Sequence, residues 1–389
     1  MFDVVLKPGR DRSLRRRHPW LLDGSVARVD GTPESGDWVR ICAESGEILG
    51  YGFYSPASRL RVRVLQFGKE PPAESLLEER IAAAIAKRAS DPLLQGTDAL
   101  RLVNAEGDAL PGLVADRYGD VVVVRLGSAG MARRRDAIAA ALQRESGARF
   151  GVLRPDAAAA RREGIAAEGG ALWGGDAPAR IEIEERDRRY LVDVAHGQKT
   201  GFYLDQRDAR DLVMRLSAGR RVLDLFAYTG GFAVAAARGG AASLCLVESS
   251  ADALALAREN LARNEAAIPA ELVRGDAFEF ARAQGERFDL IVVDPPPLAR
   301  AHRDVASAAR AHKDVLLGAL RRAAPGAWLL AFSCSHHVGQ ELFAKIAAGA
   351  ATDAHRDVQV EGVLGAPSDH PVSLHHPEGG YLAGLLLRA

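Results

Sequence analysis

The sequence is poor in cysteine and carries no net charge. Its three cysteines, Cys42, Cys245 and Cys334, are odd in number and far apart in a chain of 389 residues. They predict neither a disulfide framework nor a metal cluster, which fits a reducing compartment. Lys and Arg together number 51, as do Asp and Glu, so the formal net charge is zero. No field of the whole molecule attracts nucleic acid, and any such binding needs a local basic patch.

Long apolar runs and internal repeats are also missing. The N-terminus lacks the pattern of a signal peptide, and no apolar run is long enough to cross a bilayer. Apolar residues make up 48% of the chain and charged residues 26%, as in ordinary globular proteins. We therefore expect a cytoplasmic protein of two or three domains. A homodimer is one assembly that the sequence leaves open.

The first 70 residues predict a small β-rich module. Its short apolar or alternating runs are Val4–Leu6, Trp38–Ala43, Ile48–Phe53 and Leu60–Phe67. Positive charge is concentrated between residues 7 and 20, where the arginines that we predict to bind RNA phosphates are Arg12, Arg15, Arg16 and Arg17. Arginines 59, 61 and 63 alternate along one strand and would extend this patch. The alternative is a charged surface that only contacts solvent.

Residues 71–190 predict a central α+β domain without catalytic features. A helix is predicted over Leu76–Arg88 and another over Met131–Arg144. Between them, three strands over 100–105, 110–115 and 121–126 form a meander. We interpret the polar residues of the first turn, Asn104, Glu106 and Asp108, as turn residues.

From residue 191 to the end, alternating strands and helices predict a doubly wound α/β domain. Its first strand, Arg221–Leu225, carries Asp224 and leads into a Gly-Gly turn and a helical run. The glycines allow backbone N–H groups to approach a ligand, but Asp224 would repel a pyrophosphate. A cationic ligand such as S-adenosylmethionine suits this site better than NAD, and the spacing is not Gly-x-Gly-x-x-Gly. A turn in which the glycines serve packing alone is the alternative.

Acidic residues follow four successive strands of this domain, namely Asp224, Glu248, Asp276 and Asp294. Carboxyl ends of parallel strands meet at one edge of a sheet, where a carboxylate can hold the ribose or the adenine of a nucleoside. We predict these roles for Glu248 and Asp276. Each acid taken alone is more often a turn or N-cap residue, but the four together favour a binding site.

The fifth strand, over Trp328–Ser333, delivers Cys334 to the same edge. His336 and His337 follow it, but one Cys with two adjacent His has no usual zinc spacing, so we predict no metal site. The run from His196 to Arg207 contains Lys199 and is predicted to form part of the pocket wall. A linker before a capped helix is the alternative. We also expect the polar loop over residues 368–379 to face this cleft.

Together these motifs resemble the bacterial 23S rRNA (cytosine-C5) methyltransferases of the RlmI type. The motifs that carry the resemblance are Lys-Pro-Gly-Arg at 7–10, Gly-Gln-Lys-Thr-Gly-Phe-Tyr-Leu-Asp-Gln-Arg at 197–207, Asp-Leu-Phe-Ala-Tyr-Thr-Gly-Gly-Phe at 224–232, Asp-Pro-Pro at 294–296 and Ser-Cys-Ser at 333–335. The resemblance implies a PUA RNA-binding domain, a central α+β domain and a Rossmann-like methyltransferase domain. It also implies S-adenosylmethionine as cofactor and a nucleophilic cysteine at Cys334.

The predicted reaction is the formation of 5-methylcytosine in large-subunit rRNA. Asp294 would hold the cytosine and Cys334 would form a covalent adduct with it. The residues predicted to bind the cofactor are Asp224, Phe226, Thr229, Gly230, Glu248, Asp276 and Lys199. Family members commonly carry Lys-Phe after Asp-Pro-Pro, whereas this chain has Pro297-Leu298, so stacking of the base by this loop is not implied. The alternatives are an RNA amino-group methyltransferase and an RNA-binding protein with an inactive methyltransferase scaffold.

Overall fold

The computed structural model describes residues 1–299 and 301–389, and the chain divides into two compact units. The first unit comprises Met1–Ile183, Val192–Phe202 and Ser368–Gly379. The second comprises Glu184–Leu191, Tyr203–Pro367 and Gly380–Ala389. Within the described part of the chain, no helix combines the length and apolar character that crossing a membrane requires.

The first unit begins with a six-stranded sheet and one short helix. The strands are β1 (Phe2–Leu6), β2 (Trp20–Leu22), β3 (Val26–Asp30), β4 (Trp38–Cys42), β5 (Ile48–Tyr54) and β6 (Leu60–Phe67), and the helix is α1 (Arg12–Arg15). Their order in the sheet is β2-β6-β5-β4-β1-β3. The four predicted strands are confirmed, and the sequence missed only the short β2 and the polar β3.

The rest of the first unit is built around a five-stranded sheet. Its strands are β7 (Ala99–Asn104), β8 (Leu113–Tyr118), β9 (Val121–Leu126), β10 (Phe150–Leu153) and β11 (Gly170–Trp173), and its helices are α2 (Leu76–Ala89), α3 (Ala129–Arg133), α4 (Arg135–Ser146) and α5 (Ala157–Glu163). The predicted meander is confirmed, although β8 begins later than expected because residues 110–113 form a turn, in which the backbone N–H of Leu113 donates to the carbonyl of Leu110 at 2.9 Å. The single helix predicted over 131–144 is wrong, since the chain breaks it at Arg134. A hairpin of β12 (Arg180–Glu185) and β13 (Arg188–Asp193) follows.

The second unit contains a seven-stranded sheet. Its strands are β14 (Arg221–Leu225), β15 (Ser243–Glu248), β16 (Ala270–Arg274), β17 (Phe288–Val293), β18 (Ala323–Ser333), β19 (Gln359–Leu364) and β20 (Ala383–Arg388). The helices are α6 (Arg207–Leu216), α7 (Gly231–Arg238), α8 (Ala251–Arg263), α9 (Ala277–Arg282), α10 (Val305–Arg322) and α11 (Gln340–Asp353). The strand order is β16-β15-β14-β17-β18-β20-β19, and β20 runs antiparallel to both of its neighbours. The predicted doubly wound fold is confirmed.

The order of the strands places a crevice at the ends of β14 and β17. From β14 the chain moves outward to β15 and β16, and then returns to add β17 and β18 on the other side. Such a reversal opens a ligand-binding crevice at the carboxyl ends of the two central strands. Both strands are mostly buried and apolar, as expected for parallel strands covered on both faces. Asp224 is the buried charged residue of β14, one position before the strand ends at this crevice.

Candidate active site

Asp224 is a buried carboxyl group on the central strand of the sheet. It is only 2% exposed, and neither of its oxygens accepts a hydrogen bond of normal geometry from any described residue. Burial raises its pKa well above the usual value, and the nearby charges of Asp294 and Glu248 raise it further. A buried polar group without a partner is costly. This carboxyl group is therefore suited to a ligand that brings a positive charge or a hydrogen-bond donor.

The loop after β14 holds three left-handed residues close together. Phe226, Tyr228 and Gly230 have φ angles of 66°, 47° and 77°. For the two aromatic residues this conformation costs roughly 1–2 kcal/mol each, and such strain is concentrated at functional sites. The backbone N–H of Tyr228 donates to Glu248 Oε2 at 3.0 Å, which holds the loop in place. The sequence motif predicted a Gly-Gly turn here but not the strain at the aromatic positions.

The turn at Gly230 packs directly on α8. A Cβ atom at Gly230 would lie 3.0 Å from the Cβ of Ala257, a contact so tight that the loop or the helix would have to shift slightly to accept a side chain. Asn260 of α8 donates a hydrogen bond of 3.0 Å to the carbonyl of Thr229. The hydroxyl of Thr229 is buried and has no hydrogen-bond partner among residues 1–299 and 301–389. Gly230 therefore serves packing, as in the simpler interpretation of the motif. The same loop also holds a buried hydroxyl group without a hydrogen-bond partner among the described residues.

Glu248 and Asp276 organise the tips of the next two strands. Glu248 Oε1 accepts from the backbone N–H of Ser250 at 2.9 Å, so this carboxylate joins the β14 loop to the start of α8. Asp276 caps α9 by accepting from the backbone N–H groups of Phe278 and Glu279, at 2.8 and 3.0 Å. Asp276 therefore has an N-cap role, and its exposed side chain stands at the end of β16.

Cys334 and Asp294 lie on two loops that are bonded to each other. The Cys334 thiol lies 3.6 Å from the carbonyl oxygen of Pro295, within the Asp-Pro-Pro turn. Ser335 Oγ accepts hydrogen bonds from the backbone of Leu298 and Ala299, at 3.1 and 3.2 Å. The neighbouring strands β17 and β18 therefore present a thiol and a carboxyl group at one edge, as the sequence predicted for the strand ends.

Comparison with known proteins agrees with this architecture. A PUA-like domain family matches residues 4–67, and the S-adenosylmethionine-dependent methyltransferase family matches residues 154–376. Ribosomal RNA large subunit methyltransferase I of Klebsiella pneumoniae is 42% identical over 390 residues, which are 99% of this chain and 98% of the relative. The protein of the same name from Aeromonas salmonicida is 40% identical over 393 residues and 99% of each chain. The chain belongs to this family of S-adenosylmethionine-dependent methyltransferases.

Solved structures show the same fold at lower sequence similarity. A Streptococcus mutans protein assigned as a SAM-dependent methyltransferase is 23% identical, with a TM-score of 0.83 and full coverage of both chains. A second structure, assigned as a methyltransferase and complexed with SAH, gives a TM-score of 0.85 at the same identity and coverage. The predicted Rossmann-like methyltransferase fold with a PUA-like domain is confirmed, and S-adenosylmethionine is the cofactor.

Two tyrosines of the methyltransferase pack against each other in the second unit. The rings of Tyr203 and Tyr228 meet edge to face, with centroids 5.5 Å apart. Burial raises the pKa of Tyr203, and the charges of Asp294 and Cys334 act in the same direction. Neither tyrosine was predicted from the sequence as a site residue. The signal that would have found Tyr203 is its position in the Gly-Phe-Tyr-Leu-Asp-Gln-Arg run.

A buried charge network supports the segment that contains Gln206. The Gln206 side-chain amide donates to Asp294 Oδ2 at 3.0 Å. The next residue, Arg207, is fully buried, and its Nε lies 3.6 Å from Glu185, which also binds Arg210 at 2.5 Å. Breaking such a buried network is strongly destabilising, because it leaves uncompensated charges in the interior. The network therefore fixes the segment that orients Asp294.

Two sequence predictions fall on the first unit of the methyltransferase. Lys199 lies there, beside Thr200, whose hydroxyl donates to the buried Asp116 at 2.6 Å. Its cofactor role remains a prediction. The loop over residues 368–379 also belongs to this unit, where Asp369 accepts a backbone hydrogen bond from Arg101 at 3.0 Å.

The four N-terminal arginines differ in their surroundings. Arg12 and Arg16 are exposed, while Arg15 is exposed but paired with Asp11 and Glu47 at 2.6 and 2.5 Å. The Arg17 guanidinium lies 5.1 Å from the ring centre of Phe67. The extension of the patch to Arg63 is wrong, because this side chain is buried against Glu163 at 2.8 Å.

Proposed function

We propose that this methyltransferase forms 5-methylcytosine in large-subunit ribosomal RNA. The single observation that carries the proposal is the thiol of Cys334 beside the Asp-Pro-Pro turn, at the carboxyl edge of the sheet. The relatives described above are named as large-subunit rRNA methyltransferases, and a PUA-like domain is present at residues 4–67. An rRNA substrate would also place the enzyme in the cytoplasm.

Residues around the β14 loop fit the cofactor. When bound, S-adenosylmethionine supplies a methyl group activated on a positively charged sulfur. Asp224 offers a buried carboxyl group whose oxygens lack hydrogen bonds of normal geometry, and this suits a cationic ligand. Backbone and side-chain groups of the loop would complete the site, and those we assign are Phe226, Thr229 and Gly230. Glu248 and Asp276, at the next two strand tips, would bind the nucleoside, as the sequence predicts.

The chemistry of cytosine explains why a thiol is needed. Ring carbon 5 is too weak a nucleophile to accept a methyl group directly. Addition of the Cys334 thiolate to carbon 6 breaks the 5,6 double bond and places its electron pair at carbon 5. Carbon 5 would then bond the methyl carbon as the bond between that carbon and the cofactor sulfur breaks, and the electron pair of the broken bond would stay on the sulfur. Asp294 assists by donating a proton or a hydrogen bond to ring nitrogen 3. Loss of the carbon 5 hydrogen as a proton restores the double bond and expels the thiolate.

The proton acceptor in the last step is not a second cysteine. The Asp294-Pro-Pro-Pro-Leu segment contains none, so water or another base must take the proton.

The missing aromatic residue at Leu298 also has a replacement. We assign stacking of the base to Tyr203, whose ring is only partly buried and whose pKa is raised in part by Asp294 and Cys334. Aromatic side chains are the usual platforms for unstacked bases in RNA recognition.

The test uses rRNA that contains 5-fluorocytosine. Fluorine cannot leave as a proton does, so the adduct should be trapped and the wild-type protein should shift to an RNA-linked band on a denaturing gel. Cys334→Ala should neither shift nor methylate. Cys245→Ala, which changes a buried cysteine of β15, is the matched control and should behave as the wild type.

Two outcomes would overturn this proposal. Methylation by Cys334→Ala at a near-normal rate would favour transfer to an exocyclic amine, for which an Asp-Pro-Pro motif is also suited. No methylation of any RNA by a wild-type protein that binds cofactor would favour an inactive scaffold. Loss of cofactor binding in Cys334→Ala would mean that the variant reports on folding of the site, and Cys334→Ser would then replace it.

A further inference from the structure

Two histidines and one glutamate converge in the first unit of the protein. His18 lies between α1 and β2, whereas His376 and Glu378 lie in the segment that precedes β20. His18 Nε2 is 3.4 Å from Glu378 Oε2, and His376 Nδ1 is 3.1 Å from the same oxygen. The three potential ligand atoms all lie within 4.8 Å of one another. The sequence does not predict this cluster, because its members are far apart in the chain.

The two separations from Glu378, 3.4 and 3.1 Å, are close to the spacing of ligands around a tetrahedral ion. Bonds of about 2.0–2.1 Å to zinc place neighbouring ligand atoms about 3.3–3.4 Å apart. As a hydrogen bond, by contrast, the 3.4 Å contact between His18 and Glu378 is longer than the usual 2.7–3.2 Å range. The arrangement is therefore better suited to an ion than to direct hydrogen bonding.

His376 supplies a second and independent observation. Its side chain is 4% exposed, and its Nδ1 has no hydrogen bond of normal geometry within the described ranges 1–299 and 301–389. A buried ring nitrogen aimed at a carboxylate without a proper hydrogen bond is expected to have another partner. A metal ion next to Glu378 would give this ring nitrogen such a partner.

The neighbouring residues hold both imidazole rings in orientations that suit ligation. The backbone N–H of Trp20 donates to His18 Nδ1 at 3.2 Å, so Nε2 is the ring nitrogen available toward Glu378. The Trp20 ring packs on His376, with centroids 4.4 Å apart, and its Nε1 donates to Glu106 at 2.8 Å. Such supporting contacts orient the ligands of metal sites.

We propose that His18, His376 and Glu378 bind a divalent transition metal of the zinc class. Three protein ligands leave the fourth tetrahedral position to water or to an oxygen of another ligand, as in sites with an open coordination position. The ion would connect the start of the PUA-like region to the segment before the last strand. This inference does not depend on the methylated base or on Cys334.

The test measures metal binding to the full-length protein. After chelator treatment, the protein is dialysed against Zn²⁺ with a thiol-free reductant, and bound zinc is counted by mass spectrometry. Co²⁺ is used in parallel, because a tetrahedral site gives it characteristic visible absorption. We expect one equivalent in the wild type and at least tenfold weaker binding in His18→Ala and Glu378→Gln. The matched control is His375→Ala, which replaces an exposed histidine next to the site. This variant should still bind one equivalent of zinc.

The outcomes separate a true site from folding defects and from adventitious binding. His18 and Glu378 are 24% and 53% exposed, so their variants are expected to fold, and circular dichroism and cofactor binding check this. The proposal fails if the wild type binds no zinc, or if both variants bind it as the wild type does. It also fails if the equivalent is lost in Cys334→Ala, since the ion would then be held at that thiol.

Discussion

At the scale of single residues, Asp224 is where the needs of stability and of binding conflict. Its folded-state pKa is raised, so the stability contributed by its protonated form is fully present below the unfolded pKa and is lost as pH rises through the folded value. As pH rises, ionisation of this buried carboxyl group therefore destabilises the cofactor-free protein. The same carboxyl group suits a cationic ligand. This explains why position 224 is not occupied by an apolar residue.

Asp224→Asn should change stability and binding in opposite directions. We expect a higher unfolding temperature without cofactor, because the free-energy cost of ionising a buried carboxyl group is removed. We also expect at least a tenfold weaker affinity for S-adenosylmethionine, about 1.4 kcal/mol. Differential scanning calorimetry and titration calorimetry measure the two effects.

Asp289→Asn is the matched control for this prediction. Asp289 lies on the neighbouring strand, and its hydrogen bond with Arg221 lowers its pKa. The stability it contributes is present above the unfolded pKa and lost as pH falls through the folded value. The control should therefore lower the unfolding temperature at neutral pH and leave cofactor affinity unchanged. A lower unfolding temperature in Asp224→Asn would contradict the prediction.

At the scale of elements, the glycines at the two ends of α7 allow the effect of backbone strain to be distinguished from that of steric crowding. Gly230 and Gly240 are both left-handed, with φ angles of 77° and 78°. A Cβ at Gly230 would lie 3.0 Å from Ala257 Cβ, whereas at Gly240 the nearest atom would be 3.9 Å away. Both positions favour glycine for the backbone, but only Gly230 is also crowded.

Gly230→Ala should weaken cofactor binding, and Gly240→Ala should not. Each alanine pays the left-handed cost of roughly 1–2 kcal/mol in stability. At Gly230 the loop must also shift away from α8, and this moves Thr229 and Tyr228 within the proposed cofactor site. Titration calorimetry on both variants tests this. Equal cofactor affinities would show that the turn serves packing alone.

The sequence predicted these elements well where their patterns are local. Buried parallel strands such as β17 are apolar runs bounded by turn residues, and they are visible in the sequence without knowledge of the fold. The left-handed aromatic residues Phe226 and Tyr228 were not predictable, since their conformation depends on the loop's contacts with Glu248. The approach of His18 to His376 was likewise hidden, because it arises from the return of a distant segment.

At the scale of the whole molecule, the zero net charge makes any affinity for RNA a matter of local surface. The predicted basic patch contains both arginines that form ion pairs and arginines that do not. Arg15 is neutralised by Asp11 and Glu47, and these hydrogen bonds raise its pKa. Arg12 and Arg16 are exposed, and neither takes part in an ion pair identified among residues 1–299 and 301–389. These two arginines are therefore the better candidates for phosphate contacts.

Replacing Arg12 and Arg16 by Gln should weaken RNA binding and reduce its salt dependence. For every phosphate that the protein no longer neutralises, the slope of log affinity against log salt should fall by about 0.7–0.9. Arg15→Gln, the control, should have a smaller effect because it already has two acidic partners. Affinity measured by fluorescence anisotropy across a salt series gives the slopes, and cofactor affinity should not change. If the double variant keeps the wild-type slope, the exposed arginines contact only solvent and the RNA must bind elsewhere on the protein.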